Sequence, residues 1–386
     1  MKKILFTLLT VTVLLASCGK DNYVPGQGVD PGKDKEPVMA DRVEGRVAIA
    51  YVTYYGTQTP DPTYLTQINY AFAEPYMENG EYKGFGLQGN ENRFQQIVNL
   101  KKINSKLKIF ISFTNSKEDP RSGCFSQLAK SADYRKAFAN DCKKFLQKWG
   151  IDGVDMDWEF PGLSWSGDDN AYDIMVDVDN HIELMKELHS ALGGYGLTYA
   201  GYCFDKTEVQ PSGDIAPSVI GYRYIDIAAV APYVDYVNIM TYDLDAADEG
   251  GNHQSALYDP KAYSDCTRAV QAYLDAGMSP DKLVLGIPFY ARHSFGASTP
   301  TAINYNKVLL LDSSYKIDNW DNAASVPYIT YNGTYYAGYD NVRSIGIKGE
   351  WLLMKGMKGM MFWDYDGDDS NGTLRKAVWN AVMKKS

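Results

Sequence analysis

The chain has 386 residues, 45% hydrophobic and 22% charged, which is ordinary globular composition. That length allows two or three average domains, or one large α/β barrel with insertions. A formal net charge of -10 and a pI near 5.0 argue against a nucleic-acid partner, because an acidic chain gains nothing from releasing counterions off a phosphate backbone.

In chain order, Lys2 and Lys3 come first, followed by a short apolar run from Ile4 to Leu15. Spanning a bilayer takes about 20 residues, so residues 1–17 are expected to be a targeting peptide, not a membrane helix. The run ends Leu15-Ala16-Ser17-Cys18, which resembles a bacterial lipobox. That resemblance implies cleavage before Cys18 and diacylation of its thiol. The membrane would then be met through the lipid alone, with buried CH₂ groups supplying the anchoring energy. The location implied is the bacterial cell envelope, at the outer membrane or cell surface. The alternative is a plain signal peptide that ends near a cysteine. Residues 18–40, rich in Pro, Gly and charge, read as a flexible tether.

Short β-rich runs then alternate with helix-length stretches. The runs lie at 46–53, 67–74, 106–113, 152–159, 196–204, 234–243, 282–290 and 358–365. Amphipathic segments such as 134–150 and 181–192 fall between them. Eight strands alternating with helices predict an α/β fold, a (β/α)₈ TIM barrel over 41–386. The interval before the eighth strand is too long for one helix. Tyr305, Tyr328, Tyr331, Tyr335 and Tyr336 crowd it, and a small insertion is expected at about 293–340. Four cysteines remain after Cys18. Their spacing fits neither a metal site nor a dense disulfide framework, and buried thiols are expected. Cys124 and Cys142 are the one pair close enough in sequence to consider. The 30 Tyr and 7 Trp fit ordinary packing or a surface suited to sugars.

Residues 151–162 read IDGVDMDWEFPG. Alternate residues of a strand share a face. Asp155, Asp157 and Glu159 therefore share one, and Val154, Met156, Trp158 and Phe160 the other, where a barrel packs its helices. The three acids climb the interior to the C-terminal mouth, where this fold places active sites. Asp152 has the opposite parity and is expected to be structural. Adjacent buried carboxylates repel and lose solvation, which costs several kcal/mol unless protons are shared. Acid/base chemistry is the first explanation. A Ca²⁺ or Mg²⁺ site is the second, although no Gly makes the turn of a cation loop. Structure alone is the third. The four His, at 181, 189, 253 and 293, form no ligand pattern. His181 and His189 are expected to be solvated on an outer helix.

DGVDMDWE matches the DxxDxDxE signature of glycoside hydrolase family 18, the chitinase family. NYAFA (69–73), VDYVNIMTYD, LVLGIPFYAR (283–292) and GMMFWDYDGDD (359–369) resemble the family's motifs on the second, sixth, seventh and eighth strands, in order. The resemblance covers roughly 46–385 and is specific. It implies a retaining hydrolase without an enzymic nucleophile, an exception to the two-carboxylate scheme. The substrate's acetamido oxygen would attack the anomeric carbon. Glu159 would protonate the leaving oxygen and then activate water, with its pKa raised by burial and acidic neighbours. Asp157 would bind the acetamido N–H. Asp155 would share a proton with Asp157, and the two would titrate as a unit. Tyr242 would donate to the acetamido oxygen, and Asp243 would contact the neighbouring sugar. Trp363 would floor the −1 sugar. Phe72, Met240, Tyr290 and Arg292 would line the site, and Tyr51 and Ser112 would meet Asp155 below.

One departure stands out. The family's third strand runs S-x-G-G, and here it is Ser112-Phe113-Thr114-Asn115. The short insertion predicts a shallow cleft and little processivity. The implied substrate is a chitin-type glycan of β-1,4-linked N-acetylglucosamine. An endo-β-N-acetylglucosaminidase on N-glycan cores is the alternative enzyme, whose relatives usually lack counterparts of Trp158 and Asp243. A non-catalytic glycan-binding barrel is the alternative outside enzymes, although such relatives typically lose the acid at Glu159. No cofactor is implied, and a monomer is expected.

Overall fold

Strand β1 (Val47–Thr53) opens the barrel and β2 (Gln67–Glu78) lies parallel to it. At Asn79-Gly80 the chain doubles back into β3 (Glu81–Leu87), which pairs antiparallel with β2. Both turn residues have positive φ, as a two-residue hairpin of right-twisted strands requires. This hairpin was not anticipated, although Asn-Gly is its strongest short signal. The barrel continues through β4 (Lys108–Thr114), β5 (Gly153–Asp157), β6 (Gly196–Gly201), β7 (Tyr236–Ile239) and β8 (Leu283–Pro288). Next come β9 (Tyr290–Arg292), β10 (Ala302–Asn304), β11 (Tyr315–Asp321), β12 (Val326–Tyr331) and β13 (Thr334–Gly338), then β14 (Gly359–Trp363). The parallel order is β1-β14-β8-β7-β6-β5-β4-β2, and pairing of β1 with β2 closes it. The expected eight-stranded TIM barrel is thus observed. Strands β9 to β13 form a separate antiparallel sheet in the order β10-β9-β13-β12-β11, which is the insertion foreseen between the seventh and eighth barrel strands.

This computed structural model describes residues 39–115, 125–163, 172–206, 224–247, 253–296 and 301–385. The targeting peptide, Cys18, the tether as far as residue 38, and Cys124 lie outside them. Cys142, Cys203 and Cys266 are buried free thiols.

Helices are α1 (Glu91–Asn99), α2 (Phe125–Lys130), α3 (Ala132–Trp149), α4 (Asp177–Leu192), α5 (Ile227–Val230), α6 (Cys266–Asp275), α7 (Tyr305–Val308), α8 (Val342–Met354) and α9 (Thr373–Val382). Among the described residues no helix is long and apolar enough to cross a membrane. The Ser131 side chain accepts from Tyr134 N–H to start α3, and Gly150 ends it at φ 63°, a left-handed cap that glycine takes without a Cβ penalty.

The core lies between strands and helices. Val154 and Met156 of the fourth barrel strand, and Trp158 just past it, are fully buried there with Phe138, Leu146 and Leu184. Each such side chain contributes roughly 1.5–3 kcal/mol of burial. Two expectations are corrected. Phe160 does not join this layer. Strand β5 ends at Asp157, the alternation stops, and Phe160 packs with Leu163 and Tyr224 in a separate cluster. His181 is not solvated. It is fully buried on the inner stripe of α4, with its ring 5.7 Å from that of Trp158, and burial lowers its pKa to about 3. His189 is exposed, with Nδ1 2.9 Å from the Tyr233 carbonyl. Asp152 is held by Lys101 at 2.6 Å, Lys108 at 3.1 Å and the Ile109 N–H, which is a structural clamp at the strand's foot.

A second, smaller cluster fills the barrel. Ile49, Tyr51, Tyr236, Val284 and Met361 rise toward Tyr242 and Tyr290, with Phe72, Met240 and Trp363 around them. Gly286 lets this layer close. A Cβ there would stand 2.5 Å from the Ile239 carbonyl and 2.8 Å from the Tyr242 ring.

Candidate active site

Strand β5 carries Asp155 and Asp157 on one parity, and Glu159 follows two residues past its end. Asp155 is deepest and fully buried. Tyr51 Oη and Ser112 Oγ each donate to its Oδ2 at 2.8 Å. Thr198 Oγ1 donates to its Oδ1 at 2.6 Å and Asn238 Nδ2 at 3.1 Å. Burial pushes the Asp155 pKa up, and these four hydrogen bonds pull against it. Tyr51 and Ser112, expected to meet Asp155 below the site, both donate to it there and are themselves buried. Thr198 and Asn238 were missed. Both follow from the inward parity of their strands: Thr198 is the in-register partner of Asp155 on β6, and Asn238 shares the parity of Met240 and Tyr242.

Asp157 and Glu159 behave differently. Their carboxyls share a hydrogen bond. Burial pushes Asp157 well above the usual carboxylate range, and the negative charges of Glu159 and Asp155 add to the push. Burial also raises Glu159, to about 7, with help from the charge of Asp243, while the Asp157 hydrogen bond opposes the rise. The side-chain hydrogen bond of Asp157 thus goes to Glu159, while Asp155 acts on it through its charge. Asp155 already has four donors, so the partner left for Asp157 is the acid above it. The Oδ1 of Asp157 is buried and accepts no hydrogen bond.

The rim is aromatic. Trp363 ends β14, half-buried, stacked on Phe72 at 5.7 Å and 22° and tilted on Tyr51 at 5.7 Å. Three non-proline cis peptides stand on this face: Ala71–Phe72 within β2, Glu159–Phe160 just past β5 and Trp363–Asp364 at the end of β14. Tyr242 follows β7. Burial and the surrounding carboxylates push its hydroxyl pKa well up, so it stays a proton donor. Asp243, at φ 54°, accepts both arms of Arg292 at 2.8 Å and a hydrogen bond from Tyr290. The Arg292 guanidinium lies over the Tyr290 ring at 5.2 Å. Met240 is half-buried beside Tyr242. Among the described residues no three His, Cys, Asp or Glu side chains come together as a metal site.

A raised acid at a barrel mouth, a buried carboxyl pair behind it and a ring floor beside it can protonate a leaving group on a flat polar ligand. Comparison with known proteins agrees. The family profile described as glycosyl hydrolases family 18 matches residues 47–368.

The chain belongs to glycoside hydrolase family 18.

Among curated relatives it is similar to chitinase A1 of Niallia circulans, at 29% identity over 85% of this chain and 56% of that protein. It thus spans just over half the length of that relative. A class V chitinase of Lotus japonicus is 27% identical over 85% of this chain and 83% of its own. Among solved structures, a family 18 chitinase variant of Cycas revoluta in complex with (GlcNAc)4 shares the fold, with a TM-score of 0.71. It is 21% identical, covering 87% of this chain and 99% of that one. The distant family 18 relatives named here are chitinases, so hydrolysis of N-acetylglucosamine glycans is the chemistry associated with this part of the family.

The third-strand departure from the family 18 pattern has a visible consequence. Thr114 is in register with Asp157. The Asn115 Oδ1 accepts, at 3.5 Å, from the backbone N–H of Glu159. Both side chains are buried and fill the space beside the acids where glycines would leave it open.

Proposed function

We propose that this chain is a retaining, substrate-assisted hydrolase of β-1,4-linked N-acetylglucosamine in chitin or chitooligosaccharides. The observation that carries the reading is Glu159. It stands at the barrel mouth with its pKa raised to about 7, sharing a hydrogen bond with Asp157, and the Trp363–Phe72 stack provides an aromatic floor at the same mouth. A sugar seated on Trp363 presents its acetamido group downward. The buried Oδ1 of Asp157 accepts the acetamido N–H, and Tyr242 donates to the acetamido oxygen. That oxygen attacks the anomeric carbon while the glycosidic C–O bond breaks. The leaving oxygen takes the Glu159 proton. The positive charge of the oxazolinium ion falls beside Asp157, whose carboxylate stabilises it. Water then adds to the anomeric carbon from the face the leaving group left, giving a proton to Glu159 while the bond from that carbon to the acetamido oxygen breaks, so the acetamido group is restored and the configuration is retained.

Two features were expected to separate a chitinase from an N-glycan endoglycosidase. Trp158 is fully buried in the core between strands and helices, near Phe125 and His181, and not in the cluster inside the barrel. Asp243, clamped by Arg292, carries the distinction and favours the chitinase reading. We also infer lipid anchoring through Cys18 at the cell envelope, on the lipobox-like sequence; loss of acyl-chain labelling in Cys18→Ser would bear this out, and unchanged labelling would end it.

The test of the reaction is product analysis by mass spectrometry on chitin hexasaccharide and, separately, a high-mannose glycoprotein. Short chitin oligomers that vanish with Glu159→Gln are expected. Glycan released from the glycoprotein with the hexasaccharide untouched would replace the chitinase reading by the endoglycosidase. No product that depends on Glu159 from either substrate would leave a glycan-binding barrel.

A further inference from the structure

Gln254 lies in the segment after β7 and is 1% exposed. Its amide offers two donor hydrogens and one acceptor oxygen, and all are engaged. Nε2 donates to the Tyr290 carbonyl at 2.9 Å and to the Gly338 carbonyl at 3.1 Å. Oε1 faces the Asp243 N–H at 3.4 Å. The orientation is fixed, because the reverse would set oxygen against two carbonyl oxygens. One side chain thereby joins the loop that carries Asp243, the start of β9 with Tyr290, and the end of β13 in the insertion sheet.

The residues on either side anchor this segment independently. His253 lies with Nε2 3.2 Å from Asp321 and Nδ1 3.0 Å from the Tyr335 hydroxyl. The Ser255 hydroxyl donates to Asp340, which is paired with buried Lys348. The main chain at 253–255 is therefore set by the insertion sheet and α8, and the Gln254 amide reaches from it to the active site. Asp243 needs that support. Its φ of 54° is uncommon for a residue other than glycine and persists where surroundings hold it.

We infer that Gln254 is a positioning residue of the active site, locking the main chain of Asp243 to the ends of β9 and β13 so that the Asp243–Arg292–Tyr290 cluster stands where its charge reaches Glu159. Its bearing on catalysis rests on the family 18 hydrolase reading; its geometry does not. Glu159 is faced by Asp157 at the end of β5, and by Tyr242 and Asp243 from the segment after β7, with Arg292 of β9 clamped to Asp243. Burial contributes most to the elevation of Glu159, and Asp243 is the acidic neighbour that adds to it. If Asp243 drifts, Glu159 loses that contribution.

The test is an NMR titration of ¹³C-carboxyl-labelled glutamate in the full chain, with Glu159 assigned through Glu159→Gln. It needs no substrate, so failure to cleave both chitin hexasaccharide and the high-mannose glycoprotein would reject the hydrolase reading and leave this test standing. In Gln254→Met the Glu159 midpoint is expected to fall by about half a pH unit or more, in the direction of Asp243→Asn. Adding Asp243→Asn to Gln254→Met should then move it little further. A midpoint unchanged in Gln254→Met, whatever Asp243→Asn does, overturns the inference. Hydrogen exchange in the unmodified protein keeps the inference falsifiable if Gln254→Met does not fold. The Gln254 side-chain amide and the Asp243 N–H should exchange as slowly as barrel-strand amides. Exchange at the rate of an exposed amide overturns it.

Discussion

Two acidic sites show two ways of keeping a carboxyl in a protein interior. Asp340, at the end of the insertion, is fully buried against Lys348, with both oxygens 2.8 Å from Nζ and with the Ser255 and Ser344 hydroxyls donating as well. Every electrostatic demand there is met by a cation and by donors, and the result is a joint between the β7–α6 segment and α8. Among the described residues no cation acts on Asp157 or Glu159. Their nearest charges are each other, Asp155 and Asp243, and they hold a proton instead. A paired acid fastens a fold, while an unpaired cluster stores a proton at the pH where it is used. Asp155 stands between these cases, with four neutral donors and no cation.

Removing the stored proton should have the largest effect. Glu159→Gln is expected to lower the rate of chitooligosaccharide hydrolysis by at least the ~10²–10⁴-fold of a lost general acid. Stability should move the other way. A carboxyl raised from 4.5 to about 7 favours the native state below 4.5, and that contribution is lost as pH rises through 7. Glu159→Gln should therefore raise Tm relative to the parent at pH 8 and not at pH 4. The parent's kcat/KM should fall on the alkaline side near pH 7, because the acid must begin protonated. A profile flat to pH 9 would contradict this.

The paired acid should respond in the opposite sense. Lys348→Met leaves Asp340 buried without its cation and should cost about 3–5 kcal/mol, read by denaturant titration. The folded fraction should keep most of its kcat, since Lys348 touches no site residue. A smaller loss belongs to the intermediate case. Thr198→Val deletes one donor to Asp155 and should cost roughly 1.5–3 kcal/mol. It should also reduce kcat, because a higher Asp155 pKa removes negative charge beneath Asp157. Loss of stability with kcat unchanged would show that Asp155 supports only the fold.

The smallest effect is expected at His181, outside the site. With its pKa lowered from 6.5 to about 3, the unfolded chain binds a proton there that the native state refuses. Its contribution to stability is present above pH 6.5 and lost as pH falls toward 3. His181→Phe should flatten the acid limb of stability over that window and leave activity at pH 6 intact. An unchanged acid limb would mean that the ring protonates in place.

Legibility followed the same physics. The barrel and the pair Asp155 and Asp157 could be read because strand parity depends on local alternation alone, and Glu159 through the signature it completes. Phe160 was misplaced because that alternation ends at Asp157, where the chain leaves the sheet. His181 was misjudged although Val178, His181, Leu184, Met185, Leu188 and Leu192 mark one helical stripe; the polarity of the ring hid its position. The partner of Asp157 could not be read from one strand, because it depends on Thr198 and Asn238 already occupying Asp155. Gln254 carries no local signal, since its three partners come from three separate elements.

The account turns on whether the substrate's own acetamido group and Glu159 perform the cleavage. Proton NMR of the first product formed from chitin hexasaccharide reads this directly through the anomeric signal. The β anomer should appear first and convert to α only by mutarotation, and Glu159→Gln should give no product. An initial α anomer, or β product persisting in Glu159→Gln, would contradict the mechanism.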